Sequence, residues 1–304
     1  MSKSILITGG SGFIARSAYE FLSNAYFTPL TRNVYSVTRQ DLDILDENEV
    51  ANFLGLHKFD VIINGATYDP VPDFSTKDPT RTLEMNLKMF FNIVRCKDHF
   101  GKMIHFGTGA EFGSENWKPL MKESFYYDNI PTKQYDLAKH IMTQYTYQLD
   151  NVYNLRLFGL YGKFDDWRYR FISNACCKAA LNLDITIKNN RRIDYLHIDD
   201  LMLAVRWIIE NDPPNKVYNV CTSSCKPYNE IAQQIVDISK KDIDIKYTES
   251  DHWSDKLDAE YSGDNTLMKT DMNIVPKPVD YYLPKLYNWY SDNKNNIDPN
   301  LFLY

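Results

Sequence analysis

The 304-residue chain has little of what marks several protein classes. Its five cysteines are an odd count, with Cys176 and Cys177 adjacent and Cys221 four residues before Cys225, so neither a disulfide framework nor a Cys-x-x-Cys redox pair is indicated. Of its six histidines, His105, His140 and His197 lie far apart, no His-x-x-x-His spacing occurs, and no metal site is expected. Apolar runs are short, as at Val61-Ile62-Ile63, whereas a membrane-spanning helix needs about 20 such residues. Basic residues are in deficit: 34 Lys and Arg against 40 Asp and Glu give a net charge of −6. That balance argues against general nucleic-acid binding, which depends on neutralising phosphates. The first residues, MSKSILITGG, carry one Lys and a short apolar run ending in glycines, unlike a secretory leader, so the cytoplasm is the expected compartment. What the chain does have is 44% hydrophobic residues, enough for a sizeable core.

Strand and helix signals alternate through the first half. Ile5 to Thr8 reads as a strand, followed by glycines and a helix with Ile14, Ala18, Phe21 and Leu22 on one face. Val34 to Thr38, Phe59 to Asn64 and Lys102 to Phe106 read as further strands. Between them lie a helix opened by a capping box of Asp46 and Glu49, and a helix carrying Leu83, Leu87, Phe90, Phe91 and Val94. This rhythm predicts an α/β fold, a Rossmann-like doubly wound parallel sheet over residues 1–160. Beyond it the pattern turns irregular and implies a smaller C-terminal α/β substrate lobe, 161–192 and 222–304. A segment of about 193–221, with Val217 to Val220 as its strand, returns to the first domain.

Gly9, Gly10 and Gly12 stand between the first strand and its helix, where small residues let backbone amides reach a pyrophosphate at the helix N-terminus. Arg39 at the end of the second strand suits a 2′-phosphate and favours NADP(H). Asp41 and Asp43 follow closely and leave NAD(H) open. Tyr135 and Lys139 lie four apart on a predicted helix and project to one face, where an ammonium beside a phenol favours the phenolate.

Together these motifs resemble the extended short-chain dehydrogenase/reductases, the NAD-dependent epimerase/dehydratase type. The resemblance spans nearly the whole chain: TGGSGFIA at 8–15, INGAT at 63–67, Asn86, HFGTGAEFG at 105–113, YDLAK at 135–139, LRLFGLYG at 155–162 and DYLHIDDL at 194–201. It implies catalysis by Thr108, Tyr135 and Lys139. Tyr135 would exchange a proton with a sugar oxygen, Thr108 would hydrogen-bond that oxygen, and Lys139 would lower the phenol's pKa and hold the nicotinamide ribose. It implies cofactor contacts at Gly9, Ser11, Gly12, Phe13, Ile14, Thr38, Arg39, Asp43, Ile44, Gly65, Ala66, Thr67, Asn86, Tyr135 and Lys139. On the substrate side it implies Thr108 and Gly109, and the basic residues Arg168, Arg170 and Arg192 face a diphosphate. It also implies a homodimer through the Tyr135 and Asn86 helices.

Departures from the family pattern narrow the reaction. Family dehydratases carry Asp and Glu directly after the catalytic Thr, where this chain has Gly109 and Ala110. The stretch TRQDLDILDENEV at 38–50 is most similar to GDP-fucose synthase and the 4-keto-6-deoxy-sugar nucleotide reductases. The synthase's epimerising Cys and His positions fall here on Ala110 and near Arg170, neither of which shuttles a proton at neutral pH. Ile193 replaces an Arg common before Asp194-Tyr195, with Arg192 adjacent, and Gly159 replaces an Asn. The expected activity is NAD(P)H-dependent reduction of a GDP- or dTDP/UDP-linked 4-keto sugar. A 4-epimerase with tightly bound NAD and a non-catalytic nucleotide-binding protein are the alternatives.

Overall fold

The computed structural model describes residues 3–24, 31–70, 75–248 and 260–303. Strand β1 (Lys3–Thr8) leads through the glycines to α1 (Phe13–Ser23), then β2 (Thr31–Val37), α2 (Glu47–Leu56), β3 (Phe59–Asn64), α3 (Thr82–Val94), β4 (Phe100–Thr108), α4 (Gln134–Thr146) and β5 (Val152–Leu157). After it come β6 (Gly159–Tyr161), α5 (Phe171–Ala180), β7 (Ile185–Ile187), β8 (Arg192–His197), α6 (Ile198–Glu210) and β9 (Val217–Asn219). The chain ends with β10 (Cys225–Pro227), α7 (Tyr228–Ser239), β11 (Ile245–Tyr247), α8 (Thr266–Met272) and α9 (Val279–Asp292).

Six strands form one sheet in the order β2-β1-β3-β4-β5-β9, every pair parallel. Parallel strands are covered on both faces, which is why β1 and β3 read as continuous apolar runs. Ile5 and Ile7 point into a core shared with Ala15, Leu201 and Val205 of α1 and α6. Leu6, between them, points to the opposite core with Val50, Phe90 and Met142 of α2, α3 and α4. Alternate side chains of one strand therefore seal two helical layers. Strand order reverses beside β1, and the loops after β1 and β3 meet there, at the crevice where open α/β sheets bind ligands.

The boundaries differ from the sequence pattern for local reasons. Thr38 does not extend β2, because the Asp41 carboxylate accepts from both its N–H (2.8 Å) and its hydroxyl (2.7 Å), turning the chain. Asp46 caps α2 by accepting from Glu49 N, while Glu49 closes on Asp43 N rather than on the cap residue. Residues 193–221 divide: β8 pairs with β6 and β10 in a small three-stranded sheet, α6 packs on the large sheet, and β9 joins it beside β5. A second core of α5, α7 and α9 buries Cys176 and Cys177 as apolar fillers with Ile231, Leu283 and Tyr290. Among the described residues no helix is long and apolar enough to cross a membrane.

Candidate functional site

A cavity of about 1430 Å³ lies along the C-terminal ends of β1, β3 and β4 and under residues 164–170 and 289–301. Its first wall is mostly backbone. Gly9 adopts φ +71°, and a Cβ there would stand 2.7 Å from Ala66 N, so the loops after β1 and β3 touch only because Gly9 has no side chain. Thr8 at the end of β1 donates to Asn64 at the end of β3 (2.6 Å), fixing the two loops against each other. Gly12 opens α1 without a capping side chain, so the first-turn N–H groups remain for an anion. Ser11, Phe13, Ile14, Gly65, Ala66 and Thr67 line this wall with Gly9 and Gly12.

At the far end Thr38, Arg39, Asp43 and Ile44 line the cavity. The Arg39 guanidinium donates to Asp43 (3.0 and 3.1 Å), and its side chain is 75% exposed. Asp43 also accepts from Leu45 N, and Asp41 is held by Thr38, so both carboxylates already have donors while the guanidinium faces solvent. These residues fit a dinucleotide: a glycine cradle, an uncapped helix start and a cationic fork where the second ribose would lie.

Thr108, Tyr135 and Lys139 line the same cavity, brought together by the end of β4 and one face of α4. Lys139 is buried, and its ammonium donates to Phe106 O (2.8 Å), 5.8 Å from the Tyr135 ring centre. Burial lowers its pKa to about 8, against which Glu111 and Asp69 act. The expected lowering of the phenol does not appear in this arrangement. Burial and the Asp69 carboxylate push Tyr135 up to about 12, and what opposes them is a Thr67 hydrogen bond and the Arg170 guanidinium. One of the ammonium's three N–H donors goes to a backbone carbonyl, leaving two for other partners.

Beneath this group lies a sealed ionic network. Glu111 and Arg156 are fully buried and paired; Glu111 also accepts from Thr143 (2.7 Å), and Arg156 donates to Asn219 (3.1 Å). Asn154 donates to Thr143 (2.6 Å) and accepts from Gly107 N (2.7 Å), tying the β4 end to α4.

Of the substrate-side expectations, Arg168 and Arg170 reach the cavity. Arg168 clamps Asp166 at 2.8 and 2.5 Å, and Arg170 stands 3.8 Å from Asp69. Three residues expected at the site stand outside the cavity lining. Arg192 is exposed on β8, in the small sheet, and does not line the cavity. Gly109 is buried, and a Cβ there would strike Phe158 (2.5 Å), so it packs against aromatic rings. Asn86 lies behind the wall, donating to Tyr68 O (2.7 Å) and accepting from Tyr68 N (3.0 Å); it shapes the β3 loop.

Sequence reasoning missed Asp165, Tyr261 and the C-terminal wall. Asp165 is a buried carboxyl lining the cavity, raised to about 6 by burial although Arg170 pulls it down. Trp289, Asn293 and Asn296 close the cavity from α9 and the turn after it. Phe164, at φ +76°, sits under Arg16 of α1 (4.0 Å) and edge-on to Trp289, and Lys163 pairs with Glu20 (2.5 Å). No spacing rule announces these residues. The Asp165-Asp166 doublet between aromatic residues was the one available signal.

A family model described as the NAD dependent epimerase/dehydratase family matches residues 5–221. Protein CapI of Staphylococcus aureus is 25% identical over 250 residues, covering 71% of this chain and 72% of that protein. A GDP-mannoheptose C4 reductase from Campylobacter jejuni with NADP bound superposes with a TM-score of 0.80 at 19% identity, covering 95% of this chain and 98% of the other. UDP-glucose 4-epimerase from Thermotoga maritima with UDP-glucose gives 0.79 at 20% identity, covering 95% and 99%.

Proposed function

We propose, from the premise that this chain belongs to the NAD dependent epimerase/dehydratase family and is thus a nicotinamide-dependent enzyme of nucleotide sugars, that it is an NADPH-dependent reductase of a nucleotide-linked 4-keto sugar. The observation that carries the reading is the loop after β4, which brings Thr108 to the cavity beside Tyr135 but places no free acid or base after it. After Thr108 come Gly109 and Ala110, and the next residue, Glu111, is sealed with Arg156, so that loop cannot remove a carbon-bound proton as a dehydratase must. Arg170 beside Tyr135 stays charged at any relevant pH.

A bound nicotinamide would supply the hydride. Gly9, Gly12, Gly65 and Ala66 would hold the dinucleotide by backbone, Arg39 would take its 2′-phosphate, and Lys139, anchored on Phe106 O, would hold the ribose. Thr108 donates a hydrogen bond to the carbonyl oxygen, and Tyr135 passes it a proton as negative charge develops there. Arg168 and Arg170 meet the substrate's diphosphate. Dimerisation through α3 and α4 belongs to the same reading, and light scattering checks it.

Incubation with NADPH and GDP-, dTDP- or UDP-linked 4-keto sugars tests the activity. One NADPH should be consumed per sugar reduced. Redox-neutral interconversion would replace the reading with epimerisation, and binding without conversion would replace it with a non-catalytic role.

A further inference from the structure

We propose that Tyr261 is a positioning residue that fixes the direction of the Thr108 hydroxyl. The inference rests on the catalytic reading of Thr108 just given. Tyr261 does not line the cavity that Thr108 lines, and its phenol oxygen lies 3.2 Å from Thr108 Oγ1. The segment that carries it comes from the C-terminal lobe and is held at both backbone groups of Tyr261. Its N–H donates to Arg192 O (3.0 Å), and its carbonyl accepts from Asp194 N (3.0 Å), a short parallel bridge onto β8. The following Ser262 hydroxyl accepts from Leu120 N (2.8 Å). The Tyr261 ring stacks on Trp117 at 4.0 Å and leans on Phe158 at 5.1 Å. Phenol, backbone and ring are all fixed.

The direction follows from donors and acceptors. A threonine hydroxyl has one proton and two acceptor sites. One site of Thr108 Oγ1 takes the Ala110 N–H at 3.2 Å. Tyr261 is buried, and among the described residues its hydroxyl meets no acceptor other than Thr108, so its proton goes to Thr108's second site. Burial also keeps this phenol protonated. With both acceptor sites filled, Thr108 can act only as a donor, and its proton points into the cavity, where a carbonyl oxygen would sit. If Thr108 instead donated to Tyr261, that oxygen would meet a lone pair. A residue from the substrate lobe thus sets the polarity of a hydroxyl on the nucleotide-binding sheet.

The test uses the full-length protein and removes one oxygen with Tyr261→Phe, which keeps the ring stack. On a 4-keto sugar nucleotide, kcat should fall about tenfold, with NADPH affinity and KM within about twofold. In a Thr108→Ala background the same change should cost nothing further. A second arm needs no substrate. In Thr108→Cys, the pH dependence of alkylation by iodoacetamide reports the thiol, four of the five native cysteines being buried. A donor at position 261 stabilises the thiolate, so adding Tyr261→Phe should lower the alkylation rate near neutrality by roughly fivefold. An unchanged or faster rate would overturn the proposal, as would an equal kcat loss with and without the Thr108 hydroxyl. If wild type reduces no 4-keto sugar, the reductase reading fails while the thiol arm still decides the Tyr261 contact.

Discussion

Across the cavity, two walls are built from different materials. On the β1–β3 side glycine, alanine and short hydroxyl residues present main-chain groups, with Gly9 packed directly against Ala66. On the side of residues 164–170 and α9 the lining is long side chains: Arg168 holds Asp166 within that wall, and Arg170 reaches across to Asp69 on the loop after β3. A backbone wall is pre-organised by chain geometry and takes a ligand common to many enzymes. A wall of paired side chains must exchange partners when a substrate arrives, and its selectivity lies in which pairs give way.

Tyr135, between the walls, gives the largest expected effect. Tyr135→Phe keeps the ring and removes the proton donor, so turnover should fall by roughly 10²–10⁴ while cofactor binding holds. Steady-state rates beside NADPH titration check this, and a fall in cofactor affinity of the same size would place Tyr135 in binding rather than proton transfer.

Next comes the network beneath both walls. Glu111→Gln leaves the Arg156 charge buried without its partner, a change worth about 3–5 kcal/mol of stability. Denaturant unfolding should show a loss of that order, and adding Arg156→Met should recover much of it. If Glu111→Gln unfolds like wild type, the two walls are not held from below by this pair.

The first wall was largely legible because its rules are local. A glycine at +71°, an alternating apolar strand and a four-residue spacing each express a backbone or helical period that the sequence carries directly. Asn86 and Gly109 show where family pattern and cavity lining part. Both stand close behind the cavity, yet one carboxamide is spent on the β3 loop and the other position is closed by Phe158. The second wall was mostly hidden. Tyr261 reaches Thr108 across 153 positions of sequence, and no periodicity reports a contact at that separation. Arg192 stands beside the motif position but is exposed on β8, a direction that the motif does not report.

On the paired wall, Asp165 gives a smaller and pH-dependent effect. Its pKa is raised from 3.8 to about 6, so the folded chain holds this proton more tightly than the unfolded chain. Its contribution therefore favours folding at low pH and is lost as pH rises from about 4 to about 6, by about 3 kcal/mol. Asp165→Asn should flatten the stability profile of wild type across that window. An unchanged slope would mean that the carboxyl is ionised throughout.

Arg39 is the exception on the backbone wall, an exposed cation there, and it should give the smallest effect. Its ion pair with Asp43 is exposed, so removing it costs little stability. What Arg39→Ala should change is cofactor choice: KM for NADPH rising about tenfold with KM for NADH nearly constant, about 1.4 kcal/mol of discrimination. Asp43, released from the guanidinium, would then accept from a ribose hydroxyl, so the variant's residual preference should move toward NADH. If both constants stay where they are, the 2′-position is read by backbone or by the opposite wall, and the division between the two walls moves inward from β2.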